Sequence, residues 1–211
     1  MLNITPYNKT TTNDLIIRLA LKEDLDKRHS QEEKLRIIEE FGVQHGTARV
    51  DLAVINGIMH GYEIKSDRDT LERLSDQAKE FSEIFDMLTL VVGKRHLYQA
   101  IHVIPEWWGI IIAKEINKGK VILQTIRDPK QNKMQKEISI ARLLWKKEAL
   151  EILEQRNEAN GVRYKPREFV YQRLAQILKD DLSTLKGFVR NALLISRRNW
   201  RPAAQQVLNG D

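Results

Sequence analysis

The stretch Arg49–Gln77, RVDLAVINGIMHGYEIKSDRDTLERLSDQ, decides the fold. In its first part Val50, Leu52 and Val54 point one way and Arg49, Asp51, Ala53 and Ile55 the other, the two-residue period of a strand. Asn56-Gly57 then marks a hairpin turn, because both residue types tolerate positive φ. A second alternating run puts Ile58, His60, Tyr62 and Ile64 on one face and Met59, Gly61, Glu63 and Lys65 on the other. The loop sets the register. A two-residue Asn56-Gly57 loop pairs Asp51 with Tyr62 and sends the carboxylates to opposite faces. A three-residue loop that includes Ile58 pairs Asp51 with Glu63, Ala53 with Gly61, Leu52 with Tyr62 and Val50 with Ile64. We expect the second register, because it sorts the hairpin into a mainly apolar face and a face carrying Asp51, Glu63 and Lys65 beside small residues.

Two carboxylates set directly opposite repel, so the arrangement calls for a cation between them. Magnesium is the natural candidate, since it takes oxygen ligands and is commonly held by one or two carboxylates plus water. Lys65 adds a positive point charge that can orient a water or steady developing negative charge. Asp, Glu and Lys are also common on solvated sheet faces, and taken alone these three fit that reading.

A helix should follow. Asp69-Thr70-Leu71-Glu72 has the capping-box pattern, with Asp69 as N-cap and Glu72 at the third helical position. Leu71, Leu74, Ala78, Phe81 and Phe85 then form an apolar stripe at helical spacing. Gln77 lies on that stripe, either at its edge or hydrogen-bonded to something inside.

Asp51, eleven intervening residues, Glu63-Ile64-Lys65, and a helix carrying Gln77-Ala78-Lys79-Glu80-Phe81 together resemble the PD-(D/E)XK nuclease superfamily. The last element matches the Q-x-x-x-Y motif of one branch, with Phe81 in the aromatic place. The run through Phe85-Asp86 and Leu90-Val91-Val92 is similar to a small bacterial branch without an assigned role. Val50 stands where the motif has proline. The resemblance implies an α/β fold: a restriction-endonuclease-like mixed β-sheet flanked by helices. It implies a magnesium-dependent nuclease, with manganese able to substitute, acting on DNA ahead of RNA. Asp51 and Glu63 would hold the metal, Lys65 would place the attacking water, and Gln77 would buttress Lys65 or a nearby backbone group. An upstream acidic ligand is expected at Glu40, with Glu39 second. The alternatives are a catalytically silent nucleic-acid-binding or assembly module, and a chance match in an unrelated α/β protein.

Composition sets the bounds. With 211 residues the chain suffices for one domain with a sizeable core, or one domain plus a helical appendage. It has no cysteine, which excludes disulfides and thiolate metal sites. No apolar run is long enough for a membrane span and no signal-peptide pattern opens the chain, so a cytoplasmic protein is expected. A net charge of +6 favours polyanionic partners. Oligomeric state stays open, a homodimer included.

Along the chain, residues 1–12 read as a flexible leader and 13–127 as the nuclease-like core. Asn13 or Asp14 caps a helix through Leu21, and a second helix is expected from Ser30 to about Phe41-Gly42, with Glu39 and Glu40 at its end. Met87–Val92 reads as a strand buried on both faces and parallel to a hairpin strand, His96–Ile104 as a short helix, and Trp107–Ala113 with Val121–Ile126 as a second hairpin. Trp107, Trp108 and Trp145 are expected in the core, and His60, His96 and His102 match no zinc spacing. A polar linker, Asp128–Lys133, leads to an all-helical extension over 134–211, with helices around Ile138–Leu153, Phe169–Leu178 and Leu182–Ile195. The last carries Lys186, Arg190, Arg197 and Arg201 along one face, with Arg198 adjacent and Trp200 nearby. Such a row fits a nucleic-acid backbone, and equally a solvated helix face.

Overall fold

A computed structural model describes residues 11–197. Its centre is a mixed six-stranded sheet in the order β1-β2-β3-β4-β5-β6, flanked by helices on both faces and followed by C-terminal helices, the expected α/β architecture. Helix α1 spans Asp14–Arg28, and the Asn13 side chain accepts the Ile16 N–H as its N-cap. Its buried Ile17, Leu21 and Leu25 cover one sheet face, against Leu52, Val54, Tyr62, Ile64 and Val91. Strands β1 (Arg36–Val43), β2 (Ala48–Ile55) and β3 (Met59–Lys65) form an antiparallel meander. The β2–β3 register pairs Leu52 with Tyr62, Ala53 with Gly61 and Ile55 with Met59, as a three-residue loop requires. Asn56 N–H donates to the Ile58 carbonyl to close it.

Helix α2 (Leu74–Ser82) crosses over to β4 (Met87–Gly93), which runs parallel to β3. A short helix α3 (Leu97–Ala100) precedes β5 (Gly109–Asn117), parallel to β4 and hairpinned to the edge strand β6 (Lys120–Arg127). The C-terminal helices are α4 (Glu137–Ala141), α5 (Lys146–Gln155), α6 (Arg167–Ile177) and α7 (Leu182–Asn191), the last continuing into a π-helical turn, Ala192–Ser196. They share one continuous apolar cluster with α2 and the sheet, from Phe41, Phe81 and Trp108 to Leu153, Leu174 and Val189. Asp86 locks that junction. Buried, it accepts the Met59 N–H at 2.8 Å and the Lys186 ammonium at 2.7 Å.

Several expectations are corrected. The helix expected from Ser30 to Gly42 is instead strand β1. Glu40 sits at φ 49°, and the alternation slips at the Glu40/Asp51 position between the pairs Glu39–Leu52 and Phe41–Val50. Ile38 and Phe41, three apart, therefore face the same cluster, which imitates helical spacing, while Val50 joins that cluster and Leu52 the opposite one. Asp69 does not cap α2. Its carboxylate takes the Ser66 N–H and hydroxyl, both at 2.6 Å, and the helix starts only at Leu74. The helix expected over Ile138–Leu153 is two, α4 and α5, with the Glu148 carboxylate accepting the Trp145 N–H where the second begins. Trp108 is core, but Trp145 is exposed. Thr12, assigned to the leader, is buried, and its N–H and hydroxyl both donate to Asp67.

Candidate functional site: a buried polar cluster beside a basic sheet end

The hairpin and α2 bring the expected residues into one neighbourhood. Glu63 is 2% exposed. One of its oxygens, Oε1, accepts both the Lys65 ammonium at 2.5 Å and the Gln77 side-chain amide at 2.7 Å. Of the two possibilities for Gln77, the inward hydrogen bond is realised. Asp51 accepts the Ile64 N–H through Oδ2 at 2.6 Å and the Arg18 guanidinium through Oδ1 at 2.7 Å. Arg18 also reaches Asp14, the Asp51 carbonyl and, at 2.7 Å, Glu40 Oε1. Glu39 pairs with Lys22 of α1.

Burial pushes the Glu63 carboxyl up to about 7, and the negative charge of Asp51 adds to the shift against the pull of Lys65 and Gln77. Burial also raises Asp51, opposed by the Ile64 N–H and the Arg18 charge. Glu63 Oε2 and Gln77 Oε1 are buried acceptors without a partner among the described residues. On the other side of the hairpin, His60 stacks on Tyr62 and contacts Thr89 Oγ1 at 2.9 Å, and burial lowers its pKa to about 3.

Asp51 and Glu63 each have a cationic partner within the chain. Arg18 is shared among Asp14, Asp51 and Glu40, one positive charge against three negative, and Lys65 pairs with Glu63, so the cluster keeps an excess of negative charge. Among the described residues no three His, Asp or Glu side chains converge as a metal-binding group. Glu39 and Glu40, expected at a helix end, lie in β1 and are held by Lys22 and Arg18. Arg18 is the residue that sequence reasoning missed. Its available signal was its place beside Ile17 on the apolar stripe of α1, one turn after Asp14.

The expected basic row on the last helix is also rearranged. Lys186 is bound to Asp86 and Gln135. Arg197, 3% exposed, pairs with Glu148, donates to the Leu143 carbonyl and lies 4.3 Å over the Trp145 ring. Both are internal struts. Arg190 is half-buried, and Arg198, Arg201 and Trp200 lie outside the described residues.

Unpaired positive charge gathers elsewhere. The C-terminal ends of β3, β4 and β5 and the start of β2 meet at one end of the sheet, as the pairs Arg49–Gly42, Lys65–Val92 and Gly93–Ala113 fix. There Arg49, Arg68, Arg73, Lys94, Lys118 and Lys120 are exposed, and none is joined to a carboxylate among the described residues. Asp67 stitches the loops after β3 and β4 together, accepting the Arg95 N–H at 2.9 Å and both Thr12 donors. Gly93 permits that approach, since a Cβ there would lie 2.5 Å from Asp67 Oδ1.

Fold and cluster define an α/β protein with a buried, ion-paired polar centre and a cationic rim. The chain belongs to the bacteriophage P4 protein cII family, whose model matches residues 8–207. It is 38% identical over 79 residues to protein cII of Enterobacteria phage P4, a stretch covering 37% of this chain and 30% of that protein. The match therefore spans less than a third of the phage protein's length. No solved structure matches the chain. Family membership overturns the PD-(D/E)XK resemblance and, with it, the expected phosphodiester hydrolysis, the nuclease and hydrolase class, and the description of the cluster as a metal-binding centre. The short D…E-x-K spacing lies on a hairpin where Asp51 pairs with Arg18 and Glu63 with Lys65. No helix among the described residues is long and apolar enough to cross a membrane.

Proposed function

We propose that this protein binds nucleic acid through the basic end of its sheet, and that the Asp51–Glu63–Lys65–Gln77 cluster holds the hairpin against α2. The observation that carries this reading is the set of six exposed cations at one end of the sheet, on strand ends and the loops between them, none joined to a carboxylate among the described residues. Elsewhere many Lys and Arg side chains are matched to acids, among them Arg18, Lys22, Arg142, Lys186 and Arg197. Cations without local acidic partners neutralise phosphates and release counterions, so affinity acquired this way falls steeply with salt. The net charge of +6 also favours encounter with a polyanion. DNA is the first probe and RNA the second.

The test is fluorescence anisotropy with short labelled DNA and RNA, titrated from about 50 to about 200 mM salt. The logarithm of the binding constant should fall linearly with the logarithm of salt concentration. The double charge reversal Arg68→Glu, Lys94→Glu should weaken binding about tenfold or more at low salt and flatten the slope. Binding indifferent to that reversal, or no binding at low salt, would refute the assignment.

A further inference from the structure

We infer that Tyr98 is a stacking platform for an unpaired base, so that the basic sheet end takes single-stranded nucleic acid in preference to duplex; this rests on the nucleic-acid reading above. Tyr98 is 79% exposed, on α3, four residues beyond Lys94. Its mounting is firm although its ring is open. Ala100 is buried, Leu97 packs against the main core, and the turn into α3 is closed by His96 N–H to the Gly93 carbonyl and Ala100 N–H to the His96 carbonyl. The preceding loop is anchored through the Arg95 N–H to Asp67. His102 meets the Tyr98 ring edge-on, at 5.1 Å between centroids and 75° between planes, so it braces the ring without lying over it.

Other exposed aromatic side chains are placed differently. Trp145 already carries the Arg197 guanidinium, and Tyr164 and Phe169 belong to the C-terminal helical region. Among the described residues, Tyr98 is the exposed aromatic next in sequence to the cationic loop after β4. An aromatic face next to phosphate-binding cations suits a base whose own face is free, since stacking tolerates any base and each stacked base contributes substantially to affinity. In a duplex those faces are occupied by neighbouring base pairs, and the cations alone remain to act.

The experiment compares one labelled single strand with its duplex, using the full-length protein and its Tyr98→Ala, Tyr98→Trp and Tyr98→Phe variants, with circular dichroism confirming that each is folded. Tyr98→Ala should lower single-strand affinity about tenfold and change duplex affinity by less than about twofold, while Tyr98→Phe and Tyr98→Trp retain single-strand binding. Equal losses on both probes, or no loss on the single strand, overturn the inference. If the charge reversal at Arg68 and Lys94 weakens binding and Tyr98→Ala does not, the stacking site alone falls. If the unmodified protein binds neither probe, the nucleic-acid reading falls and takes this one with it.

Discussion

Glu63 and His60 are neighbours in sequence terms, yet they impose opposite pH dependences on the fold. The folded pKa of Glu63, about 7, lies above its ordinary value of 4.5. Its contribution to stability is therefore full below pH 4.5 and is lost as pH rises through 7. For His60 the folded value, about 3, lies below the ordinary 6.5, so its contribution is full above pH 6.5 and is lost as pH falls through 3. Between pH 5 and 7 the two partly cancel, and a single substitution separates them. Glu63→Gln should abolish the decline on raising pH, steepening the net gain in stability from about pH 5 to about pH 7 by one to three kcal/mol relative to the unmodified protein. Urea unfolding at a series of pH values checks this, and parallel curves for the two proteins would count against it. Gly93 makes a second residue-level case. Gly93→Ala drives a Cβ into the Asp67 carboxylate and backbone, and should cost about 2 kcal/mol in thermal or chemical unfolding, since neither the strand nor the stitched loop can yield freely.

Among the elements, the β2–β3 hairpin was legible from Leu52–Tyr62 to Ile55–Met59, where sorting apolar from polar residues favours the three-residue loop over the two-residue one; beyond it the alternation slips, and Val50 and Ile64, expected as partners, face opposite clusters. For Gln77 the stripe left open an edge position or an inward hydrogen bond, and the resemblance put it against Lys65 or a backbone group; its amide donates to Glu63 instead. Strand β1 was not legible. A backbone kink at Glu40 puts Ile38 and Phe41 on one face, and no local residue preference announces a glutamate at φ 49°. The start of α2 failed for a related reason. Asp69 has a competing local partner in Ser66, and a side chain that closes its own turn cannot cap the helix. The chemistry of the cluster was misread because the compensating charge, Arg18, comes from a helix more than thirty residues upstream, beyond the reach of local spacing. The junction at Asp86 gives the element-scale prediction. Asp86→Ala should cost about 3 kcal/mol, because it strands the Lys186 ammonium and the Met59 N–H. Pairing it with Lys186→Met should recover part of that loss, which a double-mutant cycle measures.

For the molecule as a whole, the polar stretch after β6 is not a boundary between separate cores. Asn132 is buried and donates to the carbonyls of Ser82 and Phe85, and the C-terminal helices complete the cluster begun by α2 and the sheet. A fragment ending near residue 130 should therefore fail to fold cooperatively, exposing the apolar side of α2. Loss of a sigmoidal denaturation curve, with gain of binding to a hydrophobic dye, is the expected outcome, and a sharp native-like transition would contradict it. Charge is divided on the same scale, with matched pairs across the helices and unmatched cations at one end of the sheet.

Arg36 closes the chain on itself. From the first position of β1 its guanidinium grips the carbonyls of Leu193, at 2.6 Å, and Arg197, at 2.7 Å. The turn that follows α7 is thereby tied to an edge strand of the sheet, so it cannot unwind without also releasing the first residue of β1.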